Sequence, residues 1–406
     1  MNAVLPFIDG RETGTSLVFS VIRQTSPVPR IDIAKATGLS PATVTSVTAG
    51  LIAKGLIQEV RAPSASGTMK RGRPRINLII RGDAHLVAGM KLADKLTTVA
   101  IVDFDGKRVA DYSGSSITPI RSASQTVEFL QQILIAALDS AGLVLADISG
   151  IGIGIAGFVD APAGHVHWSP NITERDVPLQ QMLRDKFKIP TFLDNDANLV
   201  AIAEQRFGLG KKARNFIVVT VEQGVGMGIV IDGKIYRGMH GRGAELGHTK
   251  VHLDGALCRC GQRGCLEAYV GDYALLREAN TATDLVSGTS TEHQMEVLLE
   301  AAKNGDSMAK SIIRRAGRMF AMGLANVVNI FAPELIILSG ERMQYDFLYD
   351  DWMIEEMKKS IVQAGGKSTE VKVHKWGDQM WAMGAAAFAI DGIAEIELTE
   401  PRSNAA

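Results

Sequence analysis

Apolar positions change their spacing along this chain, and each change predicts an element. Leu17, Val18, Val21 and Ile22 recur at helical intervals and predict a first helix of about ten residues. A second, shorter helix is expected over 31–37, with Ile33 and Ala34 on its inner side and Gly38 at a tight turn after it. Ser40 then offers an N-cap and Pro41 the first position of a third helix. Val44, Val47 and Leu51 form its expected buried stripe, which leaves Ala42, Thr43, Thr45 and Ser46 facing outward or to the side. Residues 56–60 read as a strand, 61–75 as a polar loop and 76–80 as a returning strand.

Beyond residue 85 the period shortens to that of strands. Stretches 87–92, 97–103 and 108–111 predict an antiparallel meander whose second turn is Asp105-Gly106. The same order returns at 216–221, 227–231 and 234–236, again turned by an Asp-Gly pair, Asp232-Gly233. Two copies of one plan imply two related lobes with a cleft between them. Further apolar strands are expected at 148–155 and 335–338, each ending in small residues, and helices at 127–138 and 309–331. The class is α/β. Boundaries are expected near 1–82 for the helical head, 83–198 for the first lobe and 199–380 for the second, with 381–398 packing back on the first lobe.

Charge separates the head from the body. Through residue 80 there are ten Lys and Arg against four Asp and Glu, which leaves 33 against 40 in the remainder. A basic head on an acidic body points to an anionic partner for the head, nucleic acid first. The spacing of a small residue at 34, glycine at 38 and a β-branched apolar residue at 44 lets two helices cross closely. That is the pattern of a helix-turn-helix, whose second helix enters the major groove of double-stranded DNA. Ser40, Ala42, Thr43, Thr45 and Ser46 are its candidate DNA contacts. The polar loop makes the hairpin a wing, and Lys70, Arg71, Arg73 and Arg75 on its Gly-Pro backbone suit phosphates or a narrow A·T minor groove.

Residues 1–14 lack a basic segment followed by an apolar run, so no secretory signal is expected. The long apolar stretch 142–159 is broken by Asp147 and several glycines, which argues for buried strand rather than a membrane span. The only three cysteines, Cys258, Cys260 and Cys265, lie within eight residues of one another. An odd, clustered set is a poor disulfide framework and a good metal site. With His248 they make a full tetrahedral set for zinc. Four protein ligands leave no open position for water, so the zinc is expected to be structural. The cytoplasm is the expected location.

The run Gly243-Ala-Glu245-Leu-Gly247-His248-Thr249, followed by Cys258-Arg-Cys260-Gly-Gln-Arg-Gly-Cys265-Leu-Glu267, strongly resembles the ROK family of repressors, open reading frames and kinases. The resemblance covers the body from about residue 85 onward, and the head places the chain beside the repressor branch with its xylose and N-acetylglucosamine regulators. It implies an actin-like, ribonuclease-H-like sugar-kinase fold. It also implies a ring of sugar contacts at Asn195, Asp196, Glu245, His248 and Glu267, with Asn171 as a further candidate. Carboxylates accept strongly from hydroxyls, and His248 can offer one ring nitrogen to zinc and the other to the sugar.

Asp196 stands at the position of the catalytic base in the kinases, but the nucleotide machinery departs from the family pattern. The first phosphate motif, Asp-x-Gly-Gly-Thr, reads Lys91-Leu-Ala93-Asp94-Lys95 here, and the second, Gly-Thr-Gly-Val-Gly, reads Glu222-Gln-Gly224-Val-Gly226. A lysine replaces the magnesium-binding carboxylate, and a carboxylate at 222 repels phosphate. Phosphoryl transfer depends on positioning and charge neutralisation. A sugar-binding site without catalysis is therefore expected, in a repressor that forms a homodimer or a dimer of dimers and is switched by a monosaccharide or sugar derivative. An active sugar kinase and a regulator switched by a protein partner are the two rival readings.

Overall fold

The computed structural model describes residues 13–61, 76–115, 120–282, 290–340, 350–362, 365, 368–375, 377 and 379–399. It divides into two compact units, one made of residues 1–196 and 381–406, the other of residues 197–380.

The first unit begins with helix α1 (Gly14–Thr25), the short strand β1 (Val28–Pro29), α2 (Arg30–Thr37), α3 (Pro41–Ala53), β2 (Ile57–Arg61) and β3 (Ile76–Ile80). Local chemistry sets these boundaries. The Thr13 hydroxyl accepts from the Ser16 N–H at the start of α1. Gly38, at φ +71°, ends α2 where a side chain would be strained. The Ser40 hydroxyl accepts from the Thr43 N–H at 3.1 Å and opens α3, with Pro41 at its first position. The three strands form an antiparallel sheet in the order β1-β3-β2. Phe19, Ile22, Ile33, Val44, Leu51 and Leu78 fill the space between helices and sheet, and the same core takes in Val87, Phe104, Ala386 and Ile390.

One detail of α3 differs from expectation. Thr48 is buried and Val47 only half-buried. The Thr48 hydroxyl accepts from Arg30 Nε at 2.9 Å and donates to the Thr45 carbonyl at 3.1 Å, so its polar group is satisfied inside. Residues 62–75, which carry Lys70, Arg71, Arg73 and Arg75, lie outside the described residues.

The unit continues with β4 (Leu86–Leu92), β5 (Leu96–Asp103), β6 (Arg108–Ser115), α4 (Ala123–Ala141), β7 (Ile148–Ile155), β8 (Phe158–Asp160), β9 (His165–Trp168), α5 (Leu179–Phe187) and β10 (Thr191–Asn195). Its main sheet has the order β10-β7-β4-β5-β6. β4, β5 and β6 form an antiparallel meander, and β7 and β10 add in parallel beside β4. Helix α6 (Asp196–Arg206) starts at the last residue of the unit.

The second unit repeats the plan with β11 (Phe216–Val221), β12 (Val225–Ile231) and β13 (Lys234–Tyr236). Helices α7 (Glu267–Val270), α8 (Asp272–Ala282), α9 (Thr291–Lys303) and α10 (Ser307–Phe331) precede β14 (Leu335–Ser339), α11 (Asp351–Lys359) and β15 (Glu370–Val373). The sheet order is β13-β12-β11-β14-β15, again a meander with two parallel strands beside its first strand.

Helix α12 (Met380–Thr399) returns the chain to the first unit. It lies so close to the sheet there that only glycine fits beneath it. A methyl on Gly152 would overlap the Ala385 carbonyl, and one on Gly89 would overlap the backbone of Ala382 and Ala386. The far part of α12 meets the helical head: Arg23 pairs with Asp391 at 2.7 Å, and Lys54 Nζ donates to the Glu397 carbonyl.

Candidate metal centre and effector-site residues

His248 and the three cysteines converge in the second unit. A short helical turn, Leu246–His248, presents the imidazole, and its His248 N–H donates to the Glu245 carbonyl at 3.0 Å. The cysteine loop folds back by two backbone bridges, Lys250 to Cys265 and Leu257 to Arg263. Gly261 and Gly264 take φ of +87° and +76° and so permit the tight reversal.

The ligand atoms of His248, Cys258, Cys260 and Cys265 all lie within 4.8 Å of one another. Cys258 Sγ is 3.7 Å from His248 Nδ1, and Cys260 Sγ is 3.7 Å from Cys265 Sγ. Metal–thiolate bonds of about 2.3 Å at tetrahedral angles place two sulfurs about 3.8 Å apart. The donor set and its spacing therefore fit a four-coordinate ion of the zinc type. Cys258 and Cys265 are buried and Cys260 is exposed. Burial pushes the Cys258 thiol above its ordinary range, so without a cation the thiolate is disfavoured there.

Two residues not singled out in the sequence complete the surroundings. The Tyr273 hydroxyl donates toward Cys258 Sγ at 3.6 Å and Glu267 Oε1 at 3.4 Å. Burial first, and then the neighbouring Cys258 and Glu267, raise the Tyr273 phenol above the usual tyrosine range and keep it a donor. Lys250 Nζ lies 2.9 Å from Cys265 Sγ. Neither residue carries a sequence signal of its own, because both act through placements the fold creates.

The remaining candidates fall in two groups. In the second unit, Glu245 precedes the His248 turn, and Glu267 begins α7 with Oε1 at 3.8 Å from Cys258 Sγ. The second phosphate-loop position, 222–226, closes with the Glu222 N–H donating to the Gly224 carbonyl at 2.9 Å. A methyl on Gly224 would press on the Glu267 carboxylate, so this loop and Glu267 are neighbours. In the first unit, Asn195 ends β10, and its side-chain amide donates to the Gly157 carbonyl at 3.0 Å; Asp196 opens α6. Asn171 is buried and its amide donates to Asp94. Lys91, in the first phosphate motif, is buried with its ammonium over the Trp381 ring. In the head, Ser40, Ala42, Thr43, Thr45 and Ser46 are all exposed. Among the described residues no helix is long and apolar enough to cross a membrane.

The chain is similar to several known proteins in sequence and in fold. A xylose repressor of Caldicellulosiruptor bescii is 29% identical over 385 residues, covering 92% of this chain and 94% of the repressor. The DNA-binding transcriptional dual regulator NagC of Escherichia coli K12 is 29% identical over 341 residues, covering 83% of this chain and 82% of NagC. Among solved structures, a ROK family transcriptional regulator homologous to the E. coli MLC protein superposes with a TM-score of 0.79 at 25% identity, over 95% of this chain and 98% of that one. A ROK family glucokinase from Streptomyces griseus, solved with glucose and AMPPNP, gives 0.63 at 29% identity, over 76% of this chain and 100% of the kinase. The two five-stranded sheets are thus those of the ROK regulators and sugar kinases. The ROK profile itself matches residues 88–392, and by that match the chain belongs to the ROK family.

Proposed function

We propose that this chain is a sugar-responsive transcriptional regulator, a cytoplasmic repressor that a monosaccharide releases from its operator. The observation that carries the reading is the exposed helix α3, joined to α2 by a left-handed glycine and mounted on a core continuous with α12. Residues 1–82 act in this reading as a winged helix-turn-helix, and two copies in a homodimer meet the half-sites of a palindrome.

Helix α3 carries no charged and no amide side chain. It therefore lacks the bidentate partners for guanine and adenine, and its outward Ala42, Thr43, Thr45 and Ser46 suit thymine methyls and single hydroxyl contacts. Lys70, Arg71, Arg73 and Arg75 supply the phosphate and minor-groove contacts. Roughly six to eight such contacts per dimer lower affinity by about a thousandfold to ten-thousandfold between about 50 and about 200 mM salt.

For the effector we assign Asn171, Asn195, Asp196, Glu245, His248 and Glu267 as sugar contacts, a set of amides, carboxylates and one imidazole suited to hydroxyls. Structural zinc on His248, Cys258, Cys260 and Cys265 fixes the imidazole, leaving its second nitrogen for the sugar. No catalysis accompanies binding: Lys91 and Glu222 replace groups that hold magnesium and phosphate, so Asp196 has no phosphoryl group to direct an attack upon. A sugar shifts DNA binding only through unequal affinity for the two conformations.

Fluorescence anisotropy tests the reading, with DNA from the gene's upstream region at fixed salt and a panel of monosaccharides. Binding released by one sugar, with Glu267→Ala still binding DNA but no longer released, is the expected result. No preference for any DNA over random sequence removes the DNA reading. A normal sugar response in Glu267→Ala removes the assigned sugar site.

A further inference from the structure

We infer that Lys250 is a positioning residue of the metal centre: its ammonium donates to the Cys265 sulfur, balances the charge of the three-thiolate set and slows loss of the ion. The inference rests on the zinc reading above. Lys250 and Cys265 are paired backbone to backbone, with the Val251 N–H donating to the Gly264 carbonyl at 2.9 Å and the Leu266 N–H to the Thr249 carbonyl at 2.9 Å. That pairing puts the lysine side chain beside the cysteine. Its Nζ then lies 2.9 Å from Cys265 Sγ and 2.6 Å from Gln262 Oε1, so two acceptors fix the ammonium.

The three sulfurs differ in what stabilises them. Cys260 is exposed, so water reaches its sulfur. Cys258 receives the Tyr273 hydroxyl at 3.6 Å. Cys265 is fully buried, at 0% exposure, and the lysine takes the place that water cannot. Three thiolates and a neutral imidazole around a divalent ion leave one net negative charge, which a single ammonium offsets. Hydrogen bonds to metal ligands from outside the coordination shell tune affinity, and their removal costs about tenfold to a hundredfold.

The test follows zinc leaving the purified full-length protein to excess 4-(2-pyridylazo)resorcinol, with zinc content measured first by mass spectrometry. Lys250→Met keeps the aliphatic stem and loses the donor; zinc is expected to leave about tenfold faster. Lys250→Arg keeps a cationic donor and is expected to restore slow release, which a merely structural role for the stem would not require. Should Lys250→Met fail to fold, Gln262→Leu removes the second anchor of the ammonium, and release should accelerate about threefold, a smaller share of the same outer-shell effect. Release from loaded Lys250→Met at the wild-type rate overturns the inference and leaves the zinc centre standing. A wild-type chain purified without metal overturns the zinc reading, and this inference with it.

Discussion

The Lys91 ammonium lies 3.6 Å from the centre of the Trp381 indole, and the lysine is only 6% exposed. Lys91 lies on β4, at the start of the stretch read from the sequence as the first phosphate motif, while Trp381 lies in the first turn of α12. The cation is thus built into the joint between sheet and helix rather than being a stray surface charge. Two outcomes are expected. With ATP, magnesium and a panel of monosaccharides, a coupled assay shows no ADP above the protein-free background; turnover with any sugar would restore the kinase reading. Lys91→Met, which keeps the stem, lowers stability by about 2 kcal/mol in urea unfolding, the worth of a desolvated cation–π contact.

The seat of α12 gives a sharper stability test. Gly152→Ala drives a methyl into the Ala385 carbonyl, and backbone on both sides prevents an easy retreat. Overpacking of this kind costs about 3 kcal/mol, and here neither partner is a flexible side chain. The first unit of Gly152→Ala should unfold at clearly lower urea than wild type or fail to accumulate as soluble protein. Gly142→Ala is a useful contrast, because its φ of +69° strains any side chain although nothing lies within 4 Å, and only a smaller loss is expected. Equal midpoints for Gly152→Ala and wild type would mean that α12 does not lie this close to the sheet.

What was legible in the sequence is what local chemistry decides. Ser40-Pro41 and Gly38 fix the ends of their helices through a cap, a ring and a missing Cβ, and the structure places α2 and α3 accordingly. The repeated Asp-Gly turns announced two meanders, and both sheets contain one. The cluster of His248 and the cysteines was legible because its members sit close in sequence, and the structure brings their ligand atoms together. Pairings across long separations were not. β1 is two residues long and exists because it bonds to β3. Thr48 replaces Val47 in the α3 core because Arg30 reaches its hydroxyl from another helix. Asp94 meets Asn171, and Lys91 meets Trp381, only after the sheet and α12 have assembled. Lys250 and Tyr273 likewise gain their roles from a backbone bridge and from the start of α8.

His85 links stability to pH. Its Nδ1 is 2.9 Å from the Ser149 hydroxyl, its ring meets the Phe104 ring edge-on at 4.9 Å, and its Nε2 is 3.7 Å from Glu397 Oε1. Burial lowers its pKa below the ordinary imidazole value, outweighing the opposite pull of Glu397. The unfolded chain therefore takes up this proton at a higher pH than the folded one. The contribution is fully present above about pH 6.5 and is lost as pH falls through the folded value. Urea midpoints between about pH 7.5 and about pH 5.5 should decline less steeply in His85→Gln than in wild type. Parallel declines would show that His85 titrates alike in both states.

Thr45 offers the most direct test of the proposal that α3 reads DNA. Its hydroxyl donates to the Pro41 carbonyl at 2.8 Å, so the donor is engaged within the helix and the γ-methyl remains for an incoming base. One buried methyl is worth about 0.8 kcal/mol, close to fourfold in affinity. On a duplex selected by the protein from a randomised pool, Thr45→Ser should bind about fourfold more weakly, while Thr45→Val should hold near wild type. Replacing thymine by uracil removes only the base methyl, and at the contacted position it should weaken wild-type binding by a similar factor. On Thr45→Ser the same replacement should add little, because the partner methyl is already gone. Independent, fully additive losses would place the thymine against another residue. A uracil duplex bound as tightly as the thymine one at every position would show that α3 reads its operator by hydroxyls or by shape.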